Sequence, residues 1–254
     1  MTPQHPEFLE RPNGAMIAYN KVTGGSPGII FLHGLMSDRD GTKATALANH
    51  CARSGQACVR FDMFGHGEST GRFEEGNISR WTNDAIAVID HLTEGPQILV
   101  GSSMGGWVMV RAALARPERV AGLIGIAPGP DFTEDLMWPR LTSVELEQLK
   151  TKGIIRLQSD YDERPYPISR QLFEDGRQAL VLRAPIPISC PVRLIHGMKD
   201  TSVPWNVSMR LAEKITGDDV NVILVKNGDH RLSDSADIDR LSMVLNEVSS
   251  RVGA

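Results

Sequence analysis

The stretch that most constrains this chain is Gly101-Ser102-Ser103-Met104-Gly105-Gly106. An apolar run, Gln97-Ile98-Leu99-Val100, leads into it, and a helix-like run from Trp107 to Ala115 leaves it. Strand, Gly-x-Ser-x-Gly, helix is the context in which a serine rides on a tight reversal at the top of a sheet. Glycine at 101 and 105 suits such a reversal, because side chains there would collide with the turn. The reversal lifts the Ser103 hydroxyl clear of the sheet. It also sets it at a helix N-terminus, where free N–H groups and the dipole favour a developing negative charge. The same five-residue pattern also occurs in plain glycine–serine loops, so residues further along the chain have to decide what it does.

The chain around this turn alternates strands and helices. Residues Met16 to Val22 alternate weakly and read as an early edge strand. Ile29-Ile30-Phe31-Leu32, ended by His33-Gly34, is a short continuous apolar run, as expected for a strand buried on both faces. Thr42 to Ser54 reads as a helix with Ala44, Leu47, Ala48 and Cys51 on one face and Gly55 as its stop. Ala57 to Phe61 is the next strand, followed by the glycine-rich Asp62–Ser69 loop, a helix from Arg80 to Leu92, and a strand from Val120 to Ala127. Strands alternating with helices predict βαβ units and a mostly parallel, doubly wound α/β sheet.

The rhythm breaks between about 128 and 187. Short helical pieces are expected near Thr133–Trp138, Ser143–Lys152 and Ser169–Arg183, interrupted by Pro139, Pro165 and Pro167. Apolar residues are plentiful there: Phe132, Leu136, Met137, Trp138, Ile154, Ile155, Tyr161, Tyr166, Ile168 and Phe173. An insertion of this kind predicts a helical lid after the sixth strand, with Phe132, Met137 and Trp138 as candidate substrate-binding residues. Beyond it the rhythm resumes with a strand at Val192–Gly197, a helix at Asn206–Ile215, a strand at Val220–Val225 and a helix at Ile238–Val248. A chain of 254 residues fits one α/β domain carrying such an insertion.

Two later loops supply chemistry for Ser103. Asp200, in His196-Gly197-Met198-Lys199-Asp200, lies just past a strand, at the edge where open α/β sheets place their sites. Asp131, after the preceding strand, is a competing acid. His230, in Asn227-Gly228-Asp229-His230, also follows a strand. Of the other histidines, His5, His50 and His91 read as surface residues, His196 as a strand end and His66 as structural. The order Ser103, Asp200, His230 is the Ser…Asp…His order of a nucleophile, its orienting acid and its base on this kind of sheet. A serine hydroxyl is a poor nucleophile at neutral pH unless a histidine takes its proton during attack, and the aspartate fixes the imidazole tautomer. The developing oxyanion needs two donors. These are expected to be the backbone N–H groups of Met104, the residue after the serine, and Leu35, in the His33-Gly34-Leu35-Met36 loop.

Composition removes other classes. The net charge is -4 and no long basic block is present, so no nucleic-acid partner is expected. No apolar stretch approaches the ~20 residues of a membrane span. Three cysteines, Cys51, Cys58 and Cys190, without metal-ligand spacing, read as buried thiols in a reducing compartment. No metal or cofactor is expected. Residues 1–12 show neither a signal-peptide apolar region nor an Arg-rich transit pattern, which predicts a cytoplasmic enzyme.

Serine turn, acid and base together resemble the α/β-hydrolase superfamily. Longer stretches resemble one branch of it, the mitochondrial acyl-protein thioesterases (S-depalmitoylases), also described as acyl-glucuronide esterases. The segments that carry the likeness include Gly41-Thr42-Lys43-Ala44, Arg60-Phe61-Asp62, Gly95 to Ser103, His196-Gly197-Met198-Lys199-Asp200, Val203-Pro204-Trp205 and Asp229-His230-Arg231. The similarity runs from about residue 28 to 242. The branch's serine, aspartate and histidine fall on Ser103, Asp200 and His230. Two departures stand out: no mitochondrial targeting segment, which suggests a bacterial-type relative, and a poorly matching Ala127–Trp138 stretch. The resemblance implies an α/β-hydrolase fold and a serine hydrolase acting on an ester or thioester with an apolar acyl group, carried by a small molecule or an acylated protein. A non-hydrolytic ligand-binding protein on the same fold, or a carbon–carbon bond hydrolase, is the alternative.

Overall fold

The computed structural model describes residues 5–158 and 165–253; Tyr161 of the expected lid lies outside them. Eight strands form one sheet: β1 (Glu7–Glu10), β2 (Met16–Val22), β3 (Gly25–Leu32), β4 (Gln56–Phe61), β5 (Gln97–Ser102), β6 (Val120–Ile126), β9 (Val192–Gly197) and β10 (Val220–Val225). Their order is β1-β2-β4-β3-β5-β6-β9-β10. Only β1–β2 and β2–β4 are antiparallel; every pairing from β4 to β10 is parallel. The expected edge strand at Met16–Val22 is therefore second from the edge, because the four-residue β1 pairs outside it. That strand, Glu-Phe-Leu-Glu, is too short and too exposed to show a period.

The apolar runs divide by alternation. Ile30, Leu32, Leu99 and Leu123 pack with Trp81 of α2 (Ile78–Leu92) and Trp107 of α3 (Met104–Ala115). Ile29, Phe31, Ile98, Val100 and Ile124 pack on the other side with α1 (Thr42–Ser54) and with Leu241 and Leu245 of α7 (Ser235–Val252). Period-2 side chains and helices on both faces are what a doubly wound parallel sheet demands. Cys51 and Cys58 are buried in the second cluster, whereas Cys190 is half-buried. Helix α1 ends as expected, at Gly55 with φ 71°. Helix α2 starts at Ile78, two residues before the expected Arg80, because the Asn77 side chain caps it by accepting from the Arg80 N–H at 2.8 Å.

Between β6 and β9 the chain leaves the sheet. It makes a π-helical turn (Thr133–Met137), a 3-10 turn (Trp138–Arg140), α4 (Ser143–Lys152) and α5 (Arg170–Gln178). It also forms a feature the periodicity did not reveal, an antiparallel hairpin of β7 (Ile154–Leu157) and β8 (Tyr166–Ser169). Pro165 and Pro167 disguise β8, since a proline in a run argues against a central strand; a two-stranded ribbon has no central strand. The returning chain is tied down by the Asp131 carboxylate, which accepts the N–H of Val181 at 2.8 Å and of Leu182 at 2.9 Å. Helix α6 (Asn206–Lys214) follows β9. No helix among the described residues is long and apolar enough to cross a membrane.

Candidate active site

Strand order places the chemistry. The loops after β3, β5, β6, β9 and β10 all open on the carboxyl edge of neighbouring parallel strands, where side groups converge. Ser103 sits between β5 and α3 with φ 53° and ψ -118°, a conformation non-glycine residues rarely adopt. It is held there by its N–H donating to the Ile126 carbonyl at 3.0 Å and by its own carbonyl, which accepts from Gly106 and Gly129 at 2.9 Å each. The flanking glycines are required for space. A Cβ at Gly101 would lie 2.5 Å from the Gly105 carbonyl oxygen, and one at Gly105 would lie 2.2 Å from that of Leu32. So Gly105 is needed for the approach of the β3 strand end rather than for the turn alone.

The three residues proposed from chain order meet. Ser103 Oγ lies 2.9 Å from His230 Nε2, and His230 Nδ1 lies 2.6 Å from Asp200 Oδ2. Asp200 Oδ1 accepts the N–H groups of Ser202 at 2.9 Å and Val203 at 2.8 Å. The loop carrying Asp200 is laced to the one carrying His230: Met198 N–H donates to the Val225 carbonyl and Lys199 N–H to the Gly228 carbonyl, both at 2.9 Å. Burial by itself would push the Asp200 carboxyl up. The hydrogen bonds from His196 and His230 outweigh it and hold the group well below the usual carboxylate range. Asp131, the competing acid, is fully buried and spends both oxygens on Val181 and Leu182.

A side chain that sequence reasoning set aside as a strand end belongs to this site. His196, buried at the end of β9, places Nε2 3.1 Å from Asp200 Oδ2 and Nδ1 2.7 Å from Ser208 Oγ. The available signal was spacing: residues 196 and 200 are four apart, on either side of the Gly197-Met198-Lys199 turn at the sheet edge.

The loop after β3 runs beside the serine. A Cβ on Gly34 would sit 3.4 Å from Ser103 Cβ, and Leu35 and Met104 both border the cavity at Ser103. Two buried histidines brace this loop. His33 donates from Nδ1 to the Gly34 carbonyl at 2.8 Å and accepts the Met63 N–H at Nε2, 3.1 Å away. His66 donates from Nδ1 to the Phe64 carbonyl at 3.1 Å and accepts the Met36 N–H at 3.3 Å. Burial pushes His33 down to about 4, and burial plus the neighbouring His33 pushes His66 down to about 3, so both rings are neutral at pH 7. On the far side, Lys43 of α1 donates to the Arg231 carbonyl at 2.5 Å and to Ser233 Oγ at 3.1 Å, steadying the chain just after His230. Burial and the Arg231 charge push that ammonium down to about 8.

A cavity of about 800 Å³ opens over Ser103 and His230. Phe132, Leu136, Met137, Leu141, Tyr166 and Ile168 line it from the excursion between β6 and β9, together with the polar Arg140, Glu145 and Gln158. The rest of the chain contributes both polar residues, among them Ser37, Thr42, Lys43, Thr201 and Ser202, and apolar ones, among them Phe31, Ala44 and Val203. Of the three expected substrate-binding residues, Phe132 and Met137 border the cavity. Trp138 is not among its lining residues: it packs edge-on against Phe173, ring centroids 5.3 Å apart, with the Arg177 guanidinium over its face at 4.1 Å.

Comparison with known proteins agrees with this architecture. Residues 27–151 match the family model described as the alpha/beta hydrolase fold. The human palmitoyl-protein thioesterase ABHD10, a mitochondrial protein, is 42% identical over 246 residues, covering 96% of this chain and 80% of the human protein. This chain belongs to the α/β-hydrolase family, in its ABHD10 branch. The solved structure of the mouse α/β-hydrolase domain-containing protein 10 superposes with a TM-score of 0.90 at 40% identity, over 98% of this hydrolase and 99% of the mouse chain. A protein from Agrobacterium vitis S4 superposes at 0.92 with 38% identity, over 96% of this hydrolase and 98% of that chain. A monoacylglycerol lipase from Paleococcus ferrophilus shares the fold at TM-score 0.73 and 21% identity. The mitochondrial placement belongs to the named relatives, and the expectation of a cytoplasmic enzyme gains no support from it.

Proposed function

We propose that this α/β hydrolase is a serine hydrolase that cleaves esters and thioesters of apolar acyl groups through an acyl-enzyme. The observation that carries the reading is the continuous chain from Ser103 Oγ to His230 to Asp200, at 2.9 and 2.6 Å. Asp200, kept ionised by its donors, holds the proton of His230 on Nδ1, so Nε2 presents a lone pair to the serine hydroxyl. His230 takes that proton as Oγ attacks the acyl carbonyl, and Asp200 stabilises the imidazolium that results.

The tetrahedral oxyanion is assigned to the backbone N–H groups of Leu35 and Met104. Supporting this is the closeness of the Gly34 loop to Ser103 and the start of α3 immediately after the serine. Losing one such donor typically removes ~2.7–4 kcal/mol of transition-state stabilisation. His230 gives its proton to the leaving group, alkoxide or thiolate, and is neutral again; a thiolate leaves more readily. Water, activated by the same histidine, then releases the acid and restores Ser103.

The segment at about 128–187 is assigned as a lid on a single domain, its apolar residues Phe132, Leu136 and Met137 receiving the acyl chain. The ABHD10 relatives named palmitoyl-protein thioesterases support an acylated protein or small-molecule thioester as substrate. The test is a fluorophosphonate probe read by intact mass, with p-nitrophenyl esters and acyl-CoA thioesters as substrates. One adduct on the wild type, absent from Ser103→Ala, together with turnover of the esters, is the expected result. An unlabelled, inactive wild type removes the proposal.

A further inference from the structure

Asp200 Oδ2 serves two histidines. His230 Nδ1 approaches from the cavity side at 2.6 Å, and His196 Nε2 approaches the same oxygen at 3.1 Å from within the protein. His196 Nε2 also lies 2.9 Å from the Val203 carbonyl oxygen. Two acceptors around one ring nitrogen require a proton on it, so Nε2–H is shared between carboxylate and carbonyl. With the ring neutral, Nδ1 then accepts the hydroxyl proton of Ser208, 2.7 Å away on α6. Ser208 and His196 are both fully buried, so water does not substitute for either contact. A rigid helix thus holds a ring, and the ring holds the carboxylate.

This geometry matters because Oδ2 is the oxygen that must stabilise the His230 imidazolium. Its negative charge is divided between two N–H donors. With one donor removed, the undivided charge faces His230, favours the imidazolium and raises the pH at which the neutral base appears. The carboxylate also loses one of the contacts that fix its rotation. We propose that His196, held by Ser208, is a positioning residue of this site that orients Asp200 and sets the pH at which His230 becomes a base. The inference rests on the serine-hydrolase reading above.

Other charged groups at this corner are Asp229 and Arg231 on the His230 loop and Lys43, which reaches it from α1. Lys43, pushed down to about 8, titrates above neutrality, away from an acid limb.

The experiment is the pH dependence of kcat and kcat/KM between pH 5 and 9 with p-nitrophenyl butyrate, for wild type, His196→Gln, His196→Phe and Ser208→Ala, each also labelled with a fluorophosphonate. His196→Phe is expected to move the acid limb upward by roughly half a unit to one unit. It should lower kcat on the order of tenfold, with KM nearly unchanged. His196→Gln, whose amide N–H can reach Oδ2, should recover most of both effects. Ser208→Ala, a small change, should show the same upward shift at reduced size, and it decides the matter if His196→Phe does not fold. Acid limbs at the wild-type position in Ser208→Ala and in any folded His196→Phe would overturn the inference. So would equal losses in the Phe and Gln variants with no shift, which mark a packing role. Labelling of the wild type at Ser103 together with unshifted variants defeats this inference alone; an unlabelled, inactive wild type defeats the serine-hydrolase reading itself.

Discussion

Replacing Asp200 by asparagine tests the site through one atom. The carboxyl oxygens have unequal surroundings: Oδ1 accepts two backbone N–H groups, from Ser202 and Val203, and Oδ2 faces His230 Nδ1 and His196 Nε2. An asparagine must keep its oxygen at the Oδ1 position. Turned the other way, its NH2 would confront two N–H donors at 2.9 and 2.8 Å, leaving both unsatisfied at ~1–3 kcal/mol each. The Oδ2 side can give way, because His196 Nε2–H keeps the Val203 carbonyl and His230 can move its proton, so the NH2 takes the Oδ2 position and points a proton at His230 Nδ1. The ring answers by moving its own proton to Nε2, 2.9 Å from Ser103 Oγ. His230 becomes a donor to the serine it is meant to deprotonate.

In another serine hydrolase, amidating the orienting aspartate costs ~10⁴-fold in kcat by this tautomer route. At 1.36 kcal/mol per decade that is about 5.4 kcal/mol of transition-state stabilisation. The assay is kcat and KM on p-nitrophenyl butyrate at pH 7.5, with Asp131→Asn in parallel. Asp200→Asn is expected to lose roughly four decades in kcat with KM little changed, and Asp131→Asn to stay within a few-fold of wild type. Residual kcat above a tenth of wild type in Asp200→Asn, or the large loss appearing in Asp131→Asn instead, would refute the reasoning.

Four further outcomes are expected. Ser103→Ala abolishes ester turnover and fluorophosphonate labelling while Tm holds, and Ser102→Ala keeps most activity; the reverse pattern would move the nucleophile. Asp131→Asn leaves one of the Val181 and Leu182 N–H groups facing an NH2, so thermal or urea unfolding should report a loss of roughly 1–3 kcal/mol; unchanged stability would remove the tie. If the cavity over Ser103 takes the acyl chain as proposed, each methylene is expected to raise kcat/KM about 3- to 4-fold, from ~0.8 kcal/mol per buried CH₂, until the chain outgrows the cavity. Met137→Ala should move that plateau to longer chains, while Trp138→Ala should act on stability, and a flat wild-type profile would count against the acyl wall. Acid should weaken the fold through His33 and His66. Their folded pKa values, about 4 and about 3, lie below the ordinary 6.5, so below pH 6.5 the unfolded chain binds protons the folded one refuses, and stability falls as pH drops. At pH 4.5 the loss is roughly 3 kcal/mol for each ring. Asp84, raised by burial to about 6, works in the opposite direction, so the measurement is urea stability at pH 7.5 and 4.5 in wild type against a His33→Gln, His66→Gln variant. Equal slopes in the two proteins would exclude the histidines.

The sequence by itself determined the sheet, its helices and the chain order of the candidate triad Ser103, Asp200 and His230. Continuous apolar runs such as Ile29–Leu32 make sense only as strands covered on both faces, and the Gly-x-Ser-x-Gly turn is legible because its glycines answer a local steric demand. The boundary at Gly55 was legible as a glycine stop, and that at Asn77 was not, because its capping shows only in the side-chain bond to the Arg80 N–H. Tertiary structure decided the rest. Asp131 and Asp200 both follow strands and read alike in the chain, yet one meets backbone N–H groups of the returning excursion and the other meets histidines. Met137 and Trp138 are adjacent in sequence, yet only the first borders the cavity, because one residue of rotation on a tight turn points them apart. His196 looked like an ordinary strand end until α6 and the Asp200 loop closed around it. Local patterning encodes burial and turn geometry. Which nitrogen meets which oxygen across 127 residues of chain, the separation of Ser103 and His230, is set only when the sheet assembles and brings its loops to one edge.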